Sequence, residues 1–204
     1  MANWAYTSYA IEGNKESLEK IYNAILHPDV KEGSTESWEG NVLRALGIEW
    51  KEAKPGGEGK HIRGFISDEP WWGDDEHTFL RFEAEEAWNV TDFDCILMEN
   101  FKDVKVYWTT EEEGMGIYGT NDKKGKYFPY KFFVDTCIND NYSNDYFEDK
   151  DSAYKWLSKI TEDKIKTPED VKAFNEKYDE EGDDDFIYVH EYKVIDNETE
   201  VLPD

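Results

Sequence analysis

Any fold this chain adopts must hold apart 48 acidic side chains that face only 23 basic ones, a formal net charge of -25 over 204 residues. Repulsion on that scale, where apolar area is short, ordinarily keeps a chain unfolded. Here 8 Trp, 13 Tyr and 11 Phe offset it. Each ring buries a large area, so the composition predicts a folded body with its carboxylates turned outward. The length suits one enlarged domain, or a core domain with an extension, and it is enough to bury a core without disulfide or metal staples.

The same charge excludes partners. With a pI near 4.4, the surface repels phosphates, so direct nucleic-acid binding and anionic membranes are disfavoured. No run approaches 18 consecutive apolar residues, so no membrane span is expected. The opening MANWAYTSYAIEG has neither a basic nor an apolar region of the signal-peptide kind. Cys95 and Cys137 lie far apart among apolar neighbours and read as buried free thiols in a reducing cytoplasm.

Residues 4–11 are β-prone, and Leu18, Ile21, Tyr22, Ile25 and Leu26 repeat at helical spacing after a capping Asn14. A second helix is expected over 35–46, where Gly47 fits the C′ position, and a loop over 51–60. Strands follow over 61–67 and 77–85. Thr91-Asp92-Phe93-Asp94 matches a capping box leading into a helix marked by Phe93, Ile96, Leu97 and Phe101. A strand over 104–110 completes the order β-α-(α)-β-β-α-β, which predicts an α+β fold with a ferredoxin-like split βαβ core. Beyond it, 114–120 and 126–137 read as strands joined by a hairpin at Asn121-Asp122-Lys123-Lys124-Gly125. Ala153, Trp156, Leu157 and Ile160 mark a helix, and Thr167-Pro168-Glu169-Asp170 starts another. A final strand is expected over 186–195. The expected division is a core over 1–120 and an extension over 121–204 packed on it.

The start at Trp4, the Ala87-Trp88 turn into a helix, and Gly114-Met115-Gly116 together resemble the YubB-type ferredoxin-like domain family, over roughly residues 1–120. Asn89-Val90-Thr91 stand where proline-rich residues often follow that tryptophan. The resemblance implies the ferredoxin-like fold and a plasmid or phage setting; it implies no catalytic residues.

Chemistry-bearing motifs are sparse. Asp183, Asp184 and Asp185 sit in an acidic run that offers oxygen ligands to Ca²⁺ or Mg²⁺, but the run lacks the alternate spacing of an EF-hand and reads better as a solvated loop. Residues 139–151 offer similar ligands in poor register. The four histidines form no metal-binding pair, and no nucleophile motif is present. Glu-Gly-Met-Gly-Ile-Tyr-Gly is no phosphate loop, because strand-like residues flank it rather than a helix start; it reads as a hairpin entry, the alternative being a surface on which Met115 and Tyr118 contact a partner. Trp71 and Trp72 cannot both face one side of a strand, so at least one should be partly exposed. The plainer reading is a tryptophan pair tucking a long hairpin onto the core; with Asp74, Asp75 and Glu76 beside them, the functional reading is an anchor with an anionic rim.

The expected function is therefore non-catalytic: an acidic interaction protein of mobile-element type that binds a basic protein surface, with nucleic-acid mimicry as one form such binding takes and solubility as the plainer role of the charge. Trp71, Trp72, Asp74, Asp75, Glu76, Trp88, Glu111, Glu112, Met115 and Tyr118 are the contact candidates, and no cofactor is expected. A divalent-metal-dependent hydrolase or nucleotide-acting enzyme is the alternative, and a plain structural domain the third reading.

Overall fold

The structure, a computed structural model, describes residues 3–53, 58–181 and 185–195. It is a mixed α+β protein in two compact units: one runs to Lys123 and resumes at Val194, and the other spans Lys124–Lys193.

The first unit opens with β1 (Trp4–Glu12), α1 (Lys15–Leu26) and α2 (Glu39–Ala45). β2 (Gly64–Ile66), β3 (Trp71–Trp72), β4 (Phe79–Ala87), α3 (Phe93–Asn100), β5 (Lys105–Glu112) and β6 (Ile117–Thr120) follow. α1 begins where Asn14 Oδ1 accepts the Ser17 N–H at 2.9 Å, and α2 ends at Gly47, whose φ of 71° needs a residue without a Cβ. The Thr91–Asp94 capping box does not form. Asp92 is the N-cap and gives no side-chain cap; the Thr91 hydroxyl donates to Glu39 at 2.8 Å and accepts the Phe93 N–H at 3.3 Å rather than that of Asp94.

The sheet of this unit runs β6-β5-β1-β4-β2, with β3 also on β4, and these pairings are antiparallel. One side carries Tyr9, Ile11, Leu80, Phe82, Val106 and Trp108, buried against Leu18 and Ile21 of α1 and Phe93, Ile96 and Leu97 of α3. Tyr9 stacks on Phe82 at 4.7 Å, with Phe93 edge-on to both. Burying a ring of this size fully contributes about 1.5–3 kcal/mol. The aromatic content thus supplies a core despite the charge.

The second unit contains β7 (Phe132–Ile138), β8 (Asn141–Phe147), α4 (Lys150–Ile160), α5 (Pro168–Glu181) and β9 (Phe186–Glu191). Its sheet is β8-β7-β9, with Phe132, Val134 and Ile187 packed on Leu157 and Phe174 of the helices. Asp170 and Thr167 cap each other at the start of α5, at 2.9 and 3.2 Å.

Three expectations change here. The hairpin is not between 114–120 and 126–137, because β6 and β7 belong to different sheets; it is β5–β6, turning through Glu113–Gly116 with Gly116 at φ 66°. Residues 141–147, read for their oxygen ligands, form β8. The final strand is two: β9 pairs with β7, and β10 (Lys193–Val194) lies beside β6 in the larger sheet. No helix among the described residues is long and apolar enough to cross a membrane.

Candidate interaction face and a buried carboxyl pair

Directly opposed residues of antiparallel strands point to one face, so the register of the first sheet defines its second side. Phe65 on β2 opposes Glu85 on β4, Glu85 opposes Tyr6 on β1, Tyr6 opposes Glu111 on β5, and Glu111 opposes Tyr118 on β6. Ring and carboxylate alternate across five strands. The neighbouring rows add Glu83 beside Ser8, and Trp71 beside Arg81. Tyr6 is 64% exposed, Trp71 41% and Trp4 39%; Glu83 is exposed and Glu85 and Glu111 are half-buried. Trp4 meets Phe65 edge-on at 5.7 Å.

The predicted contact residues separate on this map. Trp71 lies on the open face. Trp72 points the other way, stacked on Tyr22 at 5.1 Å and His77 at 4.4 Å. Asp74 closes the turn after them: it accepts the Thr78 N–H at 2.8 Å and the Thr78 hydroxyl, and these bonds hold its carboxyl below the usual range. Asp75 and Glu76 are exposed on that turn. Trp88 is exposed at the end of β4 with φ 74°, a backbone region that bulky residues rarely occupy; its N–H donates to the Asn3 carbonyl, next to Trp4. Met115 is exposed. Glu112 and Tyr118 are both buried at 4%, and Glu112 accepts the Gly114 and Met115 N–H groups at 3.0 and 2.6 Å, which shapes the turn. Asp183 and Asp184 lie outside the described residues. Asp185 is buried and accepts the Asn139 N–H at 2.7 Å. Among the described residues no three His, Cys, Asp or Glu side chains gather as a metal site.

Sequence reasoning missed a carboxyl pair in the core. Glu39, the first residue of α2, and Glu86 of β4 are both 0% exposed. Thr91 Oγ1 donates to Glu39 at 2.8 Å, while Glu86 accepts the Tyr9 hydroxyl at 2.8 Å and the Thr91 N–H at 2.9 Å. In strict hydrogen-bond geometry Glu39 Oε1 and Glu86 Oε2 have no partner; one proton shared between the carboxyls satisfies both. Burial above all, then the Glu86 charge, pushes Glu39 well above the usual glutamate range. Burial also raises Glu86, but hydroxyls, the Thr91 N–H and the Glu39 carboxyl favour its charged form. Both carboxyls are thus pushed toward the protonated form, Glu39 the further of the two. Gly64 makes room for them, since a Cβ there would stand 2.5 Å from the Glu39 carboxyl. No sequence signal marks this pair, because two acids among 48 pair only through the fold.

No protein-family model, curated protein or solved structure matches the chain.

Proposed function

We propose that the protein is a non-catalytic interaction protein whose open sheet face binds a basic segment of another protein. The row Phe65–Glu85–Tyr6, with exposed Glu83 beside it on β4, carries this reading. Adjacent strands lie about 4.8 Å apart, so each carboxylate is flanked by rings at side-chain range. An arginine or lysine entering such a row meets a carboxylate at its head, while its stem and charge lie over an aromatic face. The interleaved rings favour recognition of individual basic side chains over imitation of a phosphate array, which needs charge alone. The two buried carboxyls, at 0% exposure, are out of reach of a substrate and do not serve the alternative hydrolase reading.

The strand order β5-β1-β4-β2, with α1 and α2 between β1 and β2 and α3 between β4 and β5, supports reading the core as a ferredoxin-like split βαβ. On this reading the first unit is a YubB-type domain of mobile-element origin acting in the cytoplasm. The test of binding is an NMR titration of the full chain with a synthetic peptide of alternating arginine and serine. Shifts concentrated at Tyr6, Phe65, Glu83 and Glu85 are expected, weakening as salt rises. Shifts spread evenly over the acidic surface would reject the face as the site.

A further inference from the structure

We infer that β8 is a self-pairing edge through which two copies of the chain join their second-unit sheets. β8 has β7 on one side and forms the margin of the sheet on the other. Residues Asn141 to Tyr146 are all exposed and Phe147 is half-buried. Natural edges are blunted by lysine, proline, bulges or cover; β8 reads Asn-Tyr-Ser-Asn-Asp-Tyr-Phe, with Asp145 its one charge.

The register specifies how a second copy fits. β7 and β8 join through a two-residue turn, Asn139 at φ 51° and Asp140 at φ 63°, with Ile138 opposite Asn141. In such a hairpin the residues flanking the turn exchange hydrogen bonds and the pattern then alternates. Asn141, Ser143 and Asp145 therefore bond inward to β7, while Tyr142, Asn144 and Tyr146 direct their backbone groups to the margin. Laid antiparallel about Asn144, two β8 strands place Tyr142 opposite the partner's Tyr146 and Asn144 opposite the partner's Asn144. All of these are margin-directed, so the hydrogen-bonding parity of the two copies agrees. Aromatic pairs form at both ends and an amide pair forms at the two-fold axis. On the other face Asp145 meets the partner's Ser143, so no like charges oppose.

The rings extend the match. On the face of Tyr142 and Tyr146, ring contacts run Tyr146–Phe133–His190–Tyr188–Phe186–Tyr142 with centroids 4.9–6.2 Å apart. Tyr142 is 80% exposed and Tyr188 49%. Pairing makes one six-stranded sheet whose aromatic face continues across the axis. Asp145 Oδ1 accepts the Tyr146 N–H at 2.8 Å and must release it when a second strand docks. The net charge also opposes association, so this contact strengthens with salt, opposite to binding of a basic peptide.

Sedimentation of the full chain across concentration at low and at about 0.5 M salt reads the association. A dimer favoured by concentration and salt is expected. Asn144→Pro, which leaves the inward bonds to β7 intact, and Asn144→Lys should each weaken it by about tenfold or more with unchanged circular dichroism. Asp145→Ser should tighten it. Register is read by Asn144→Cys: an on-axis pair has a Cα separation of about 5.5 Å, within disulfide range, so mild oxidation should link the dimer. Asn141→Cys, opposite the partner's Phe147, should not link. A wild type that stays monomeric at every concentration and salt, or a dimer indifferent to both Asn144 variants, overturns the inference and leaves the edge to a strand of a different protein.

Discussion

Replacing Glu39 by glutamine tests the buried pair where its consequence is largest, in the pH dependence of stability. Glutamine keeps the side-chain shape, donates its amide to Glu86 and accepts from Thr91, but it has no proton to lose. In the wild type, burial and the Glu86 charge raise Glu39 above its unfolded value. The fold therefore holds a proton that the unfolded chain releases at about pH 4.3. The sign follows: the stabilisation is fully present below that pH and is lost as pH rises toward the folded value, at about 1.4 kcal/mol per pH unit. Asp74, Asp103, Asp149 and Asp170 have lowered values and act in the opposite sense, losing stability as pH falls. They are common to both proteins and cancel in the difference. Urea unfolding followed by tryptophan fluorescence suits the assay, because Trp156 is the only tryptophan of the second unit. Above about pH 5 the variant should gain on the wild type by about 1.4 kcal/mol per unit until Glu39 ionises in the fold. Glu39→Ala instead leaves Glu86 charged and without its carboxyl partner, at a cost of about 3–5 kcal/mol. Parallel pH curves for wild type and Glu39→Gln would refute the shared proton.

Gly64→Ala puts a methyl group 2.5 Å from the Glu39 carboxyl, and should destabilise the first unit by about 2 kcal/mol or more in the same assay. Trp88→Gly relieves the φ of 74°; a rise of about 1 kcal/mol in stability is expected, with weaker binding of the arginine–serine peptide. Burial and then Asp94 push the Cys95 thiol up to about 12, so iodoacetamide should alkylate it about a hundredfold or more slowly in the native protein than in urea, by mass spectrometry of the labelled peptide.

What the sequence made legible is local chemistry. Asn14, Gly47 and the Thr167–Asp170 box act within a few residues of themselves, and each marks its helix end in the structure. Thr91 does not close the reciprocal box: its hydroxyl accepts the Phe93 N–H, one residue short of Asp94, while its proton goes to a buried carboxyl remote in sequence. Strand partners were less legible, since pairing is decided by long-range packing: 114–120 and 126–137 are adjacent in sequence yet belong to different sheets. β8 was readable but misread. Its acids and amides suggested ligands, while Tyr142, Asn144 and Tyr146 already alternated at the period of a strand. Trp71 and Trp72 show how far such reasoning reaches: their adjacency required opposite faces, and the register decides which one is exposed. The alternation of ring and carboxylate across five strands exists only once that register is known.

That alternation is the centre of the account, and a charge-matched comparison tests it most directly. Calorimetric titration of the arginine–serine peptide would set Glu83→Gln/Glu85→Gln on the sheet face against Glu162→Gln/Glu176→Gln, two exposed acids of the second unit. Both variants lose the same net charge. The account predicts that the first loses about tenfold or more in affinity and the second stays close to wild type. Equal losses in the two variants would mean that bulk acidity alone draws the peptide, and the sheet face would cease to be a site.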